Sequence, residues 1–288
     1  MAKSKVGGTR AYIRGRIGSD VYSVGKTSKG ARQQVVRSLA EQVSNPRTQE
    51  QMKGRMIMSS VMQAVSALKP IIDHSFDGLP IGQPSISQFI KINYALVKAD
   101  AADHPVNDNK FGLNKYQEKG VKCGNYQVSA GSAFLPTAVT IASEFVSIEL
   151  TAGALTVGGL KAALGLSADG YLTAVVLDAN DGFRYARLRL TTTLPDSTAI
   201  TSANVGSLFT VDSNVAVTAA LNSNTISFAV GSSDGLVSSG VIVSEKVDGV
   251  WIHNDCVLGG NGSYSFASSV ALPTYPVGSE QFLNGGDL

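Results

Sequence analysis

The chain has 288 residues, enough for one large domain or two modest ones, and an apolar content of 43% excludes general disorder. Charged residues make up only 16%, against roughly 25% in an average soluble domain, so the surface must be covered by neighbours or built from a Ser/Thr-faced sheet. The net charge of +2 hides an asymmetry. Residues 1–69 hold 13 Lys/Arg and three Asp/Glu, residues 70–120 five and six, and residues 121–288 six and 13. The basic head should meet something acidic, and the acidic remainder of this same chain is one candidate.

Along residues 1–44 the pattern is β. Tyr12-Ile13-Arg14-Gly15-Arg16-Ile17-Gly18 opens it and Asp20–Val24 follows. Gly25-Lys26-Thr27-Ser28-Lys29-Gly30 is a turn with Gly at each end, and Gln34–Leu39 returns. Two short β-prone runs around such a turn predict a hairpin with largely basic polar positions. A lone hairpin is at best marginally stable in water, so this one must pack on the helices behind it, on another subunit, or on both.

Residues 45–100 predict two helices. Asn45-Pro46 marks a turn, and Thr48 sits three residues before Gln51, the spacing of a capping box. A helix can run from there to Lys69, where Pro70 stops it. Met52, Met56, Ile57, Met58, Val61, Met62, Val65 and Leu68 cover more than one of its faces, so it is buried on several sides or sandwiched between subunits. A domain core is the plainer reading and an adaptable Met-rich interface the sharper one. The second helix starts at Ser85, with Gln88 three residues on. Ile86, Phe89, Ile90, Leu96 and Val97 form its apolar stripe, which Asn93 interrupts. Gly78, Pro80, Gly82 and Pro84 fill the loop between the helices.

From about residue 121 the helical signal fades. Phe145–Leu150, Tyr171–Leu177, Tyr185–Leu190, Thr225–Val230, Gly240–Ser244 and Val250–Ile252 predict strands. Asp181-Gly182, Asp234-Gly235 and Asp248-Gly249 mark turns, the last a hairpin signal. The Leu155–Leu166 stretch predicts one short helix between strands. The expected fold class is therefore α+β. An N-terminal β-hairpin plus two helices forms an assembly module over residues 1–120, followed by an immunoglobulin-like β-sandwich over residues 121–288.

No catalytic set is visible, and neither a cofactor nor a metal is expected. His74 follows Asp73 directly after the first helix, where a capping or hydrogen-bonded histidine is the plainer reading. His253, Asp255 and Cys256 hint at a metal, but no second ligand pair at zinc-like spacing supports one. P-loop and Gly-x-Gly-x-x-Gly patterns are missing. Residues Met1–Gly8 lack the apolar segment of a signal peptide, and no apolar run approaches the roughly 20 residues of a membrane span. Synthesis and assembly in the cytoplasm are expected, with Cys123 and Cys256 as free, partly buried thiols.

The basic head supports two partners. Arg10, Arg14, Arg16, Lys26, Lys29, Arg32, Arg37 and Arg47 could neutralise nucleic-acid phosphates, although only Tyr12 and Tyr22 are interleaved with them for stacking. The same arginines could pair with carboxylates of a neighbouring chain, which the planar guanidinium fork favours. Interface candidates are Arg14, Arg16, Lys26, Arg32, Arg37, Arg47, Met52 and Met56. A third alternative is an adhesive or carbohydrate-binding module with Tyr171, Tyr185, Trp251 and Tyr264 as exposed aromatics.

Gly15-Arg16-Ile17-Gly18-x-x-Val21-Tyr22, then Val36-Arg37-Ser38, then Asn45-Pro46-Arg47-Thr48-x-x-Gln51-Met52 resembles the N-terminal region of a poorly characterised family from Bacteroidetes and their phages. Leu68–Phe76 and Ser85-x-Ser87-x-Phe89-x-Lys91-x-Asn93 fit the same pattern, and the second half is similar in general style. The resemblance implies a virion protein of the crAss-like phage kind, such as a ring or collar subunit of the neck or tail. It implies a homo-oligomer in contact with other virion proteins.

Overall fold

The computed structural model describes residues 3–7, 10–26, 32–39, 47–105, 109–112, 121–178, 182–191, 193–231, 236–260, 263–265 and 273–277. One compact unit lies within residues 1–46 and another spans residues 47–281. In the first unit, strands β1 (Lys3–Gly7), β2 (Arg10–Ile17), β3 (Asp20–Lys26) and β4 (Arg32–Ser38) form an antiparallel sheet in chain order. The expected hairpin corresponds to β3 paired with β4. It is part of a larger sheet, because the Arg10–Ile17 run and the Lys-rich Lys3–Gly7 run pair in sequence as well. Residues 27–30 of the expected turn fall outside the described residues.

In the second unit, helix α1 (Gln49–Ile72) follows Thr48, the expected cap position. Thr48 makes no side-chain cap bond. The Gln49 N–H, one of the donors that a helix start leaves open, donates to Pro276 O instead (3.0 Å). The helix does not stop before Pro70. Ile71 and Ile72 are buried in the core beyond it, and that burial outweighs the hydrogen bond that proline lacks. Helix α2 (Gln83–Asp103) starts two residues before Ser85. Pro84 sits in its first turn, where a missing N–H costs nothing, and Ser85 donates to Pro80 O rather than capping.

The β-rich part continues with β5 (Val121–Cys123), β6 (Gln127–Ser129), β7 (Val139–Ala142) and β8 (Phe145–Glu149). Next come helix α3 (Val157–Leu164), β9 (Tyr171–Asp178), β10 (Gly182–Leu190), β11 (Phe209–Ser213), β12 (Val217–Asn222) and β13 (Thr225–Val230). It ends with β14 (Leu236–Val247), β15 (Val250–His253), β16 (Cys256–Val257), β17 (Gly259–Gly260) and β18 (Ser263–Ser265). The larger sheet has the order β11-β10-β9-β14-β15, with β17 also on β14. A second sheet runs β12-β13-β8-β7. All these pairs are antiparallel.

These elements form three layers. Met52, Met56 and Leu68 of α1 and Phe89 of α2 share one core with Val175 and Leu177 of β9 and Ile242 of β14. On the opposite face of that sheet, Leu172, Ala174 and Val176 of β9 share a second core with Ile148 of β8, Phe228 of β13 and Leu160 of α3. Every residue of β9 is buried, which explains its nearly unbroken apolar sequence. The helix pair therefore shares its core with the β-rich half. Two antiparallel sheets pack face to face, and helices cover the outer face of the larger one.

Candidate assembly surface and cleft

The basic sheet comes first. Register aligns Arg16 of β2, Val21 of β3 and Arg37 of β4 in one row, and Gly15, Tyr22 and Val36 in the next. Alternate rows face opposite sides of a pleated sheet. Arg16 and Arg37 are exposed, and the Arg16 Nε donates to Gly18 O (2.8 Å). Ile17 and Val36 are exposed too. Among the described side chains of this sheet, residues 15–25 and 33–38, none is buried on either face. Lys26 stands opposite Arg32, and Lys3 opposite Arg14.

Of the other interface candidates, Arg47 is exposed just before α1. Met52 and Met56 are buried in the core between α1 and the larger sheet, so neither is open to a partner of the folded chain. The plainer of the two sequence readings holds for them, because their positions on α1 face that sheet. Met58 and Met62 are the exposed methionines of this helix.

A cleft of about 510 Å³ opens at the C-terminal end of α1. Asp73, His74 and Phe76 line it from the helix end, Leu79, Pro80 and Ile81 from the following loop, and Val250, Trp251 and His253 from β15. Ile81 and Val250 are 65% and 60% exposed at its rim. The β14–β15 hairpin that carries Trp251 turns through Asp248 (φ 51°) and Gly249 (φ 81°), between the paired Val247 and Val250. The Asp-Gly signal predicted this two-residue hairpin.

Asp77 fastens the back of the cleft. Its Oδ1 accepts from His253 N–H (2.8 Å), and its Oδ2 accepts from Ser132 N–H (2.9 Å) and the Ser132 hydroxyl (3.2 Å). Gly131 permits that approach, since a β-carbon there would overlap His253 O and the Asp77 carboxylate. The His253 ring is buried, and its Nδ1 shares a hydrogen bond with Ser244 Oγ (3.0 Å). Burial lowers its pKa to about 4, with Asp77 opposing and His74 assisting, so the ring is neutral near pH 7. Asp73 Oδ1 is buried with no hydrogen-bond partner among the described residues.

His253, Asp255 and Cys256 are not brought together as a metal site among the described residues. His253 engages Ser244, Asp255 accepts from Gln127 Nε2 (2.7 Å), and Cys256 packs against Gly240. Among the described residues, no group of three or more His, Cys, Asp or Glu is placed to hold a metal. Cys123 and Cys256 are buried free thiols, both pushed up to about 12 chiefly by burial. Of the aromatics considered for glycans, Tyr171 is buried against Trp251 (5.5 Å between rings) and Tyr185 packs on the helix-side core. Tyr264 lies in β18, and Trp251 lines the cleft. The cleft escaped sequence reading because its walls are about 170 residues apart in the chain. The one available signal was Leu79-Pro80-Ile81, an apolar loop between two glycines.

No helix among the described residues is long and apolar enough to cross a membrane. In comparisons with known proteins, the chain matches no family model, no curated protein and no solved structure.

Proposed function

We propose that the protein is a structural subunit that assembles with copies of itself through its basic head sheet, in the manner of a virion ring or collar subunit. One observation carries this reading: the head is a four-stranded sheet with no buried residue among its described side chains. A sheet must bury at least one face to be stable, and an edge strand invites pairing. Residues 1–46 carry nine Lys/Arg and two acidic residues, against 15 and 20 in the remainder, so a second copy offers the counter-charge. Arg16 and Arg37, exposed in one register row, are suited to bidentate contacts with carboxylates. The virion setting, with assembly in the host cytoplasm, draws its support from the resemblance of residues 8–70. For the second unit, two antiparallel sheets around one core support an immunoglobulin-like reading, and the helix pair on the larger sheet is an addition to that plan.

Light scattering on the full chain tests the reading. A defined oligomer is expected, and a strict monomer at micromolar concentration overturns it. The basic sheet also favours a nucleic-acid partner. That rival predicts duplex binding whose logarithm falls linearly with the logarithm of salt concentration, and no self-association.

A further inference from the structure

We propose that the cleft at the end of α1 receives a basic side chain from the head sheet of a second copy. This rests on the assembly reading and supplies the receiving site that it lacks. The cleft has the composition that a long cationic side chain requires. Phe76, Leu79, Pro80, Ile81 and Val250 offer apolar wall for a methylene stem. Trp251 offers a ring face for the charged end. Asp73 supplies a carboxylate, and among the described residues the cleft is lined by His74 and His253 but by no lysine or arginine.

The field at this position is negative for a second, independent reason. Asp73 is the C-cap of a 24-residue helix, and the C-terminal end of a helix dipole favours cations. Two cationic groups nearby are engaged or discharged, while Lys69 lies in the last turn of the helix and His74 lines the cleft. Arg187 donates to Pro70 O (3.1 Å) and pairs with Asp212 (3.3 Å). His253 is held neutral by burial. The buried Asp73 Oδ1 has no hydrogen-bond partner among the described residues, so this oxygen is left unsatisfied in the single chain. The volume of about 510 Å³ falls within the roughly 300–1,000 Å³ of ligand sites.

The occupant follows from charge complementarity. The head concentrates nine Lys/Arg in 46 residues, and Arg16 and Arg37 stand exposed on it. Arginine fits better than lysine, since its planar fork can stack on Trp251 while donating to Asp73. Head and cleft are different patches, so the contact is heterologous, the type that closes rings.

The only tryptophan in the chain is Trp251, so the chain's tryptophan emission arises at the cleft. The test follows light scattering and Trp251 emission of the full chain across a concentration series. It then titrates the full chain with a synthetic peptide of residues 10–26, which contains no tryptophan. Emission should change in step with assembly and with added peptide. Asp73→Asn, nearly isosteric, should weaken both by about tenfold, the scale of one charge-assisted hydrogen bond. Combined with Arg16→Gln and Arg37→Gln, its effect should fall short of the product of the separate effects. Assembly with unchanged emission and no response to Asp73→Asn overturns the inference while the assembly reading stands. A strictly monomeric chain overturns both. If Asp73→Asn does not fold, the unaltered chain decides, because emission that stays flat up to millimolar peptide overturns the inference.

Discussion

Asn93 lies on the buried side of α2, where its carboxamide donates to Gln127 O (2.9 Å) and accepts from Gln127 N–H (2.8 Å). It also donates to Phe89 O (3.0 Å). The residue that interrupts the apolar stripe in sequence thus completes the backbone bonding of β6 from the helix side. Asn93→Leu keeps the volume and leaves two partly buried backbone groups unsatisfied. It should cost about 2–4 kcal/mol in denaturant unfolding. His253 gives a pH signature. Its folded pKa of about 4 lies below the unfolded value of 6.5, so the unfolded chain binds the proton first as pH falls. Stability should therefore drop between pH 6.5 and pH 4, by at most about 3 kcal/mol from this group. Asp100 acts in the opposite sense. Burial pushes its pKa from 3.8 to about 6, so the folded chain gains a proton first and is stabilised as pH falls from 6 towards 4. Comparing the wild type with His253→Gln isolates the histidine, and the variant should show the shallower acid loss. A variant curve that parallels the wild type would refute this account.

At the scale of elements, the β14–β15 hairpin is where sequence and structure agree most closely. Asp248 tolerates a left-handed conformation and Gly249 takes it without cost. Gly249→Val should cost about 1–2 kcal/mol, read as a lower melting temperature, with a change in Trp251 emission as β15 shifts. Other elements were legible for equally local reasons. The Leu155–Leu166 stretch yields α3, with Thr156 accepting from Gly159 N–H and Gly165 closing the end at φ 60°. The run at 171–177 yields β9 because burial on two faces removes alternation. Legibility fails where a strand borrows its support from afar. β14 begins at Leu236, four residues before its expected start, since Ser238-Ser239-Gly240 carries loop chemistry. In the fold, Ser238 donates to Gly124 O (2.7 Å), and Gly240 makes room for Cys256 and Leu258. The second sheet's β7 and β12, rich in Thr and Ala, gave no strand signal of their own. In the candidate site, the charge of the head was legible by counting. The cleft was not, because no local pattern joins residue 73 to residue 251.

At the scale of the whole molecule, self-assembly through a basic sheet is an electrostatic proposition. Raising sodium chloride from about 0.05 to 0.5 M shortens the screening length from roughly 14 to 4 Å, so the oligomer should dissociate at several-fold higher protein concentration. Arg16→Glu with Arg37→Glu should bring the same loss at low salt, measured by light scattering. An oligomer indifferent to both would place the contact elsewhere, and the exposed Met58 and Met62 of α1 would be the next surface to test. Within residues 47–281 the unit of cooperativity is set by β9. Its two faces are the floor of one core and the ceiling of the other, and its partner β14 comes from about 65 residues further along the chain. Neither the helix pair nor the second sheet can melt through β9 without taking the other core with it. Hydrogen exchange should therefore find the slowest amides on β9 and its two neighbours, opening only with the global transition.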